Sequence, residues 1–231
     1  MKDERFTYYD IHTHQPTVQT EVITVISLDL RDHDRWPELF SARESISEYY
    51  SVGIHPWFPK KNLMTKVREY AISPLVVAIG ETGLDKITAN SAESFKLQQD
   101  LFIEHIILSE KVKKPLIIHC VRAWNDLLHI HKTTKPSMPW IIHGFRGNAT
   151  LAGQLIDAGL YLSFSGLYNT DSLKAAWMKR RLLIETDDTK TDIRDVYTQI
   201  ANNLEITPKE LFDEIERFFI SKLVLSLLQR K

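Results

Sequence analysis

Six residues able to bind a metal ion stand at the ends of apolar, strand-length runs. They are His12 and His14 after Tyr8–Ile11, Glu81 after Val76–Ile79, His119 after Leu116–Ile118, His143 after Trp140–Ile142, and Asp187 just beyond Leu182–Glu185. Side chains two residues apart on a strand project to the same side, so His12 and His14 can close on one ion. A lone strand-end histidine is more often a hydrogen-bonded core residue, but packing alone does not require six ligand types at the same end of five runs. The spacing assigns His12 and His14 to a first ion and His119 and His143 to a second, with Glu81 bridging and Asp187 completing the first. Two ions about 3.5–4 Å apart activate water and clamp both oxygens of an in-line phosphoryl displacement. The expected chemistry is therefore hydrolysis. Asp187 is the candidate to orient or deprotonate the attacking water, and Glu81 is the second catalytic carboxylate.

These residues need a frame that brings separate strand ends together. Eight strand runs can be read: Tyr8–Ile11, Val22–Ser27, Tyr50–Gly53, Val76–Ile79, Leu116–Ile118, Trp140–Ile142, Tyr161–Phe164 and Leu182–Glu185. From the fourth onward, helical stretches separate them: Phe95–Lys111, Ala123–His131, Asn148–Ala158 and Ser172–Met178, with Asp195–Leu204 and Pro208–Leu228 after the last strand. Strands buried on both faces and alternating with helices indicate a parallel sheet, and eight of them indicate an α/β fold of the closed (β/α)8 TIM-barrel type. Active sites of such barrels lie on the C-terminal rim, where all six candidates fall. Only nine residues, Thr13 to Glu21, lead from His12 at the first strand's end to Val22, fewer than a helical crossover takes. The first outer helix is expected to be missing or reduced, leaving apolar strand surface for the Pro208–Leu228 helix to cover with Leu211, Ile215, Phe218, Phe219 and Leu223.

The chain has 231 residues, 43% of them hydrophobic and 26% charged, which suits one barrel domain over 1–231 with a sizeable core. A formal net charge of −1 argues against a protein that coats DNA through a global field. Cys120 is the single cysteine, so a cysteine zinc cluster is excluded and any metal must be held by nitrogen and oxygen. No secretory leader or membrane span is legible, so a cytoplasmic location is expected, with no membrane partner.

Cys120 reads as a buried structural thiol, and His105, His129 and His131 as packing or surface residues on helices. The runs Lys111–Lys114 and Lys179–Arg181 precede strands, which puts them on the rim opposite the ligands as solvated surface. Lys86, Arg122 and Arg146 follow strands and can reach substrate phosphates, Arg being the better bidentate partner. Trp57, Phe145 and Tyr168 also follow strands, where they could stack on bases, although packing is the commoner fate of each.

Taken together, the motifs resemble the TatD-type metal-dependent deoxyribonuclease family, a branch of the amidohydrolase-like barrels. The matching stretches are Asp10–His14, Val52–Pro56, Ala78–Asp85, Pro115–His119, His143–Asn148, Leu162–Gly166 and Leu183–Asp187, in the family's order through nearly the whole chain. The resemblance implies that His12, His14, Glu81, His119, His143 and Asp187 hold divalent metal and that His55 lies near substrate. It further implies hydrolysis of DNA phosphodiesters, of the 3′-to-5′ exonuclease kind. The chain departs from the family where Asp188-Thr189-Lys190-Thr191-Asp192 replaces a proline and basic loop. It departs again where Cys120-Val121-Arg122 moves an arginine by one position. The expected cofactor is two divalent ions, zinc first by ligand type, with manganese or magnesium as alternatives. The expected partner is DNA, as single strands or 3′ ends, or a small phosphodiester. Two other readings stay open: a metal-dependent amidase or lactonase acting on a small molecule, and a non-catalytic protein that keeps zinc for structure.

Overall fold

Runs rich in Val, Ile and Leu, buried on both faces, form the expected parallel strands. The structure is a computed structural model, and it describes residues 7–15, 21–28, 30–37 and 47–224. Strands β1 (Tyr8–Thr13), β2 (Val22–Leu28), β3 (Glu48–Val52), β4 (Val76–Asp85), β5 (Leu116–Val121), β6 (Trp140–Ile142), β7 (Tyr161–Phe164) and β8 (Leu182–Ile184) pair in sequence order, every pairing parallel. The ring closes at its C-terminal end, where Thr13 bridges Asp187 in parallel. There the Asp187 N–H donates to the His12 carbonyl and the His14 N–H to the Asp187 carbonyl, both at 3.0 Å. The same two bonds that close the barrel bring three of the candidate ligands together.

Helices α1 (Met64–Ala71), α2 (Ala92–Val112), α3 (Trp124–Thr134), α4 (Ala149–Asp157), α5 (Thr170–Met178), α6 (Ile193–Leu204) and α7 (Pro208–Phe218) lie outside the strands. Helix α1 had no counterpart in the sequence reading, although its buried Met64, Val67 and Ala71 sit at helical spacing. The expectation about the first outer helix falls largely on residues 16–20, outside those described. Tyr8 pairs with Val22, so β1 and β2 start level with one another.

On β1, Tyr9 and Ile11 face the helices while Asp10 and His12 point inward, as alternation requires. Tyr9 packs against Phe212 and Phe219, with ring centroids 5.9 and 4.6 Å apart. Leu211, Ile215, Phe218, Phe219 and Leu223 are all buried, so α7 and the π-type turn after it, Phe219–Val224, press on the barrel as expected. The sequence reading extended this helix to Leu228, and residues 225–231 lie outside the described set. Proline stands at the first-turn position of α7, and Thr207 with Glu210 forms a capping box.

Lys114 corrects the reading of the basic run. It is buried, and its Nζ donates to the carbonyls of Ala71 at 2.5 Å and Ser73 at 2.8 Å, satisfying the C-terminal end of α1. No helix among the described residues is long and apolar enough to cross a membrane.

Candidate metal centre

Strand β4 runs six residues past the expected end at Ile79, so Glu81 sits inside it, only 5% exposed. Gly80 and Gly83 flank that carboxylate at φ +148° and +141°, where a Cβ would stand 2.5 Å from the Ile117 carbonyl oxygen and 2.0 Å from that of His119. Only glycine permits this approach. Here β4 slips register against β5, and the slip sets Glu81 among the histidines.

The two oxygens of Glu81 face different groups. Oε2 lies 3.6 Å from His12 Nε2 and 3.5 Å from His14 Nε2, and the same two nitrogens lie 3.7 and 3.6 Å from Asp187 Oδ1. Oε1 lies 2.7 Å from His143 Nε2, 3.2 Å from His119 Nδ1 and 2.9 Å from His55 Nε2. Four overlapping sets have geometry able to hold an ion: His12 with His14 and Asp187; His12 with Glu81 and His143; His55 with Glu81 and His119; and His143 with Glu185 and Asp187. All six residues singled out for metal therefore meet at one place, and His55, assigned to substrate, joins them there.

A resident metal fits the donor chemistry. His12 is fully buried, yet neither of its ring nitrogens has a hydrogen-bond partner, and the same holds for Glu185 Oε2. Buried polar groups are ordinarily paired, so these orphaned donors and acceptors are explained by coordination. Burial, together with the neighbouring His143, holds His12 neutral, well below its ordinary range, as a ligand requires. Burial pushes the Glu81 carboxyl up, but His143, His119 and His14 outweigh it and keep the group ionised. For Asp187, burial dominates and raises the pKa, against the pull of His143.

Three carboxylates escaped the sequence reading. Asp10 is buried and accepts from Thr186 Oγ1 at 2.5 Å and the Thr186 N–H at 3.1 Å, with burial pushing its pKa up to about 7. Glu185 accepts the Gly144 N–H at 2.6 Å and lies 3.6 Å from His143 Nδ1. Asp85 lies 3.2 Å from His119 Nε2. Each sits two or four residues from a candidate ligand on the same run, so strand periodicity held the signal.

A cleft of about 570 Å³ opens over the centre, lined by His14, His55, Glu81, His119, His143 and Asp187 and walled by Arg31, Trp57, Phe58 and Lys60. Arg31 stacks on Phe58 with its guanidinium carbon 4.3 Å from the ring centroid. Trp57 and Phe58 are exposed. Arg122 and Arg146 are exposed on the same rim but do not line the cleft, and Lys86 is paired with Asp126 at 2.5 Å. Phe145 is core, 1% exposed against Phe164 and Trp124, and so is no stacking surface. Tyr168 accepts from Asn203 Nδ2 at 2.7 Å. Cys120 is buried, with its thiol pushed up to about 12 by burial.

The family model for TatD related DNase matches residues 10–217. This chain belongs to that family. It is 36% identical over 155 residues to an uncharacterised metal-dependent hydrolase of Buchnera aphidicola, across 60% of this chain and 58% of that protein. It is 28% identical over 170 residues to the 3′-5′ ssDNA/RNA exonuclease TatD of Klebsiella pneumoniae, across 65% of this chain and 62% of that one. The chain thus spans about three fifths of the length of these curated relatives. Among solved structures, YjjV, a TatD homologue of Escherichia coli, superposes with a TM-score of 0.78 over 95% of this chain and 98% of its own, at 18% identity. That likeness shows the eight-stranded barrel fold.

Proposed function

We propose that the protein is a divalent-metal-dependent hydrolase of phosphodiester bonds, acting as an exonuclease on single-stranded DNA or 3′ ends. One observation carries the reading: Glu81 presents its two oxygens to two different sets of histidines, the arrangement a bridging carboxylate needs for a pair of ions. His12, His14 and Asp187 would hold one ion, and His119, His143 and His55 a second. Zinc suits this imidazole-rich set, with manganese or magnesium as the competing ions. When bound, such ions supply an activated water and charge stabilisation at phosphorus. The protein's own part is positional and acid–base. Asp187 faces the same two nitrogens of His12 and His14 as Glu81 does, and it is the carboxylate proposed to orient that water and take its proton. Arg31 and Lys60 supply positive charge for flanking phosphates, while Trp57 and Phe58 offer faces on which unstacked bases can lie.

The exonuclease name of the Klebsiella relative supports the nucleic-acid arm of this proposal. The test is zinc- or manganese-loaded protein offered matched oligonucleotides labelled at the 5′ or the 3′ end. Stepwise shortening of the 5′-labelled strand and early release of the 3′ label is the expected result. Turnover of small amides or lactones with no release from any oligonucleotide would replace it with the small-molecule reading.

A further inference from the structure

Four donors converge on Asp85 at the end of β4. Its Oδ1 accepts the backbone N–H groups of Ile87 at 2.7 Å and Thr88 at 3.1 Å, which fixes the carboxylate in its own turn. Its Oδ2 accepts the Trp57 indole N–H at 2.7 Å and lies 3.2 Å from His119 Nε2. The Asp85 N–H donates to Gln98 Oε1 at 2.9 Å, and Gln98 Nε2 donates to the Pro56 carbonyl at 3.0 Å, tying the same point to the loop of His55 and Trp57. Asp85 is 2% exposed and carries none of the roles assigned above.

A carboxylate only accepts hydrogen bonds. His119 places Nε2 3.2 Å from Asp85 Oδ2 and Nδ1 3.2 Å from Glu81 Oε1; an ion shared with Glu81 would need the lone pair of Nδ1, which leaves the ring proton on Nε2, where Asp85 accepts it. We propose that Asp85 is a positioning residue for the metal centre: it fixes the ring and tautomer of His119 so that Nδ1 serves the second ion position. The inference rests on the metal-hydrolase reading. A purely turn-forming aspartate would need Oδ1 alone, whereas here Oδ2 is committed to two side chains of the cleft.

The isosteric substitution Asp85→Asn separates the two roles. Its carbonyl oxygen can still serve Ile87 and Thr88, so the turn survives. Its amide NH2 then faces the Trp57 N–H and His119, and a donor there draws the His119 proton onto Nδ1, which can no longer ligate. Zinc titration of metal-free D85N against a chelator should show the weaker of the two affinities reduced about 10- to 100-fold and the other changed by less than about twofold. In the zinc-loaded unsubstituted protein, nitrogen-15 spectra of the ring should show His119 ligated through Nδ1 and protonated at Nε2.

Both affinities of D85N within about twofold of the parent would overturn the positioning role. Ligation of His119 through Nε2 would overturn it without recourse to the variant, which covers the case of D85N failing to fold. Either result leaves the hydrolase reading standing. Failure of the unsubstituted protein to bind zinc, manganese or magnesium at all overturns both.

Discussion

Glu81 is the residue on which the centre turns, because its oxygens face His12 and His14 on one side and His55, His119 and His143 on the other. Replacing it by Gln removes the charge that both sets share. Metal content per chain, measured by elemental analysis after reconstitution, should fall from two ions to at most one. Asp187→Asn keeps an oxygen for coordination but cannot take a proton. Turnover should drop by about 100-fold or more while substantial metal stays bound; near-normal turnover at full occupancy would remove Asp187 from proton transfer. His12, His14, His119, His143 and Asp187 were legible because each ends an apolar run and ligand chemistry limits the choice of residue. Asp10, Asp85 and Glu185 were not singled out, since a carboxylate beside a ligand declares its role only once the partner it bonds is known.

At the scale of elements, α2 supports the site from behind through His105. This histidine is fully buried, its Nε2 accepting the Ile54 N–H at 3.0 Å and its Nδ1 lying 2.7 Å from the Leu101 carbonyl, so it pins β3 where it leads into His55. From sequence alone His105 is a helix histidine that packs or faces solvent, because the backbone donor it meets lies 51 residues away. Burial depresses its pKa to about 4 from 6.5, with smaller opposing effects from the Leu101 carbonyl and Glu104. The native ring is therefore neutral while the unfolded one gains a proton below pH 6.5. Its contribution to stability is complete above that pH and is lost as pH falls from 6.5 to about 4, amounting to about 3 kcal/mol. Urea unfolding of the parent and of His105→Gln at pH 7 and pH 4.5 should show a shallower loss on acidification in the variant; equal losses would refute it. Helix α7 stabilises a different face. Phe219 is 1% exposed against Tyr9 and Tyr49, so Phe219→Ala should cost about 3–5 kcal/mol in unfolding free energy. The helical period of α7 made that face readable in advance. Helix α1, only eight residues long, was not read from its three apolar positions.

Over the whole molecule, the barrel gathers candidate ligands from β1, β4, β5, β6 and the end of β8 beneath one cleft, while the net charge stays at −1. Among the described residues, two cations, Arg31 and Lys60, wall that cleft. Arg122 and Arg146, expected there from sequence, stand outside its lining, because which loops lean over the rim depends on tertiary packing. Neutralising two phosphates of a single strand gives a log–log salt slope of about −1.4, which oligonucleotide binding across a salt series can check; a slope several-fold steeper would require a wider basic surface. The central claim, that two ions on this constellation perform phosphodiester hydrolysis, is tested most directly by titrating metal-free protein with zinc or manganese while following hydrolysis of a chromogenic thymidine phosphodiester. The account predicts turnover that rises with the second equivalent and is abolished by chelation. Full occupancy by two ions with no turnover of that substrate or of single-stranded DNA would contradict it.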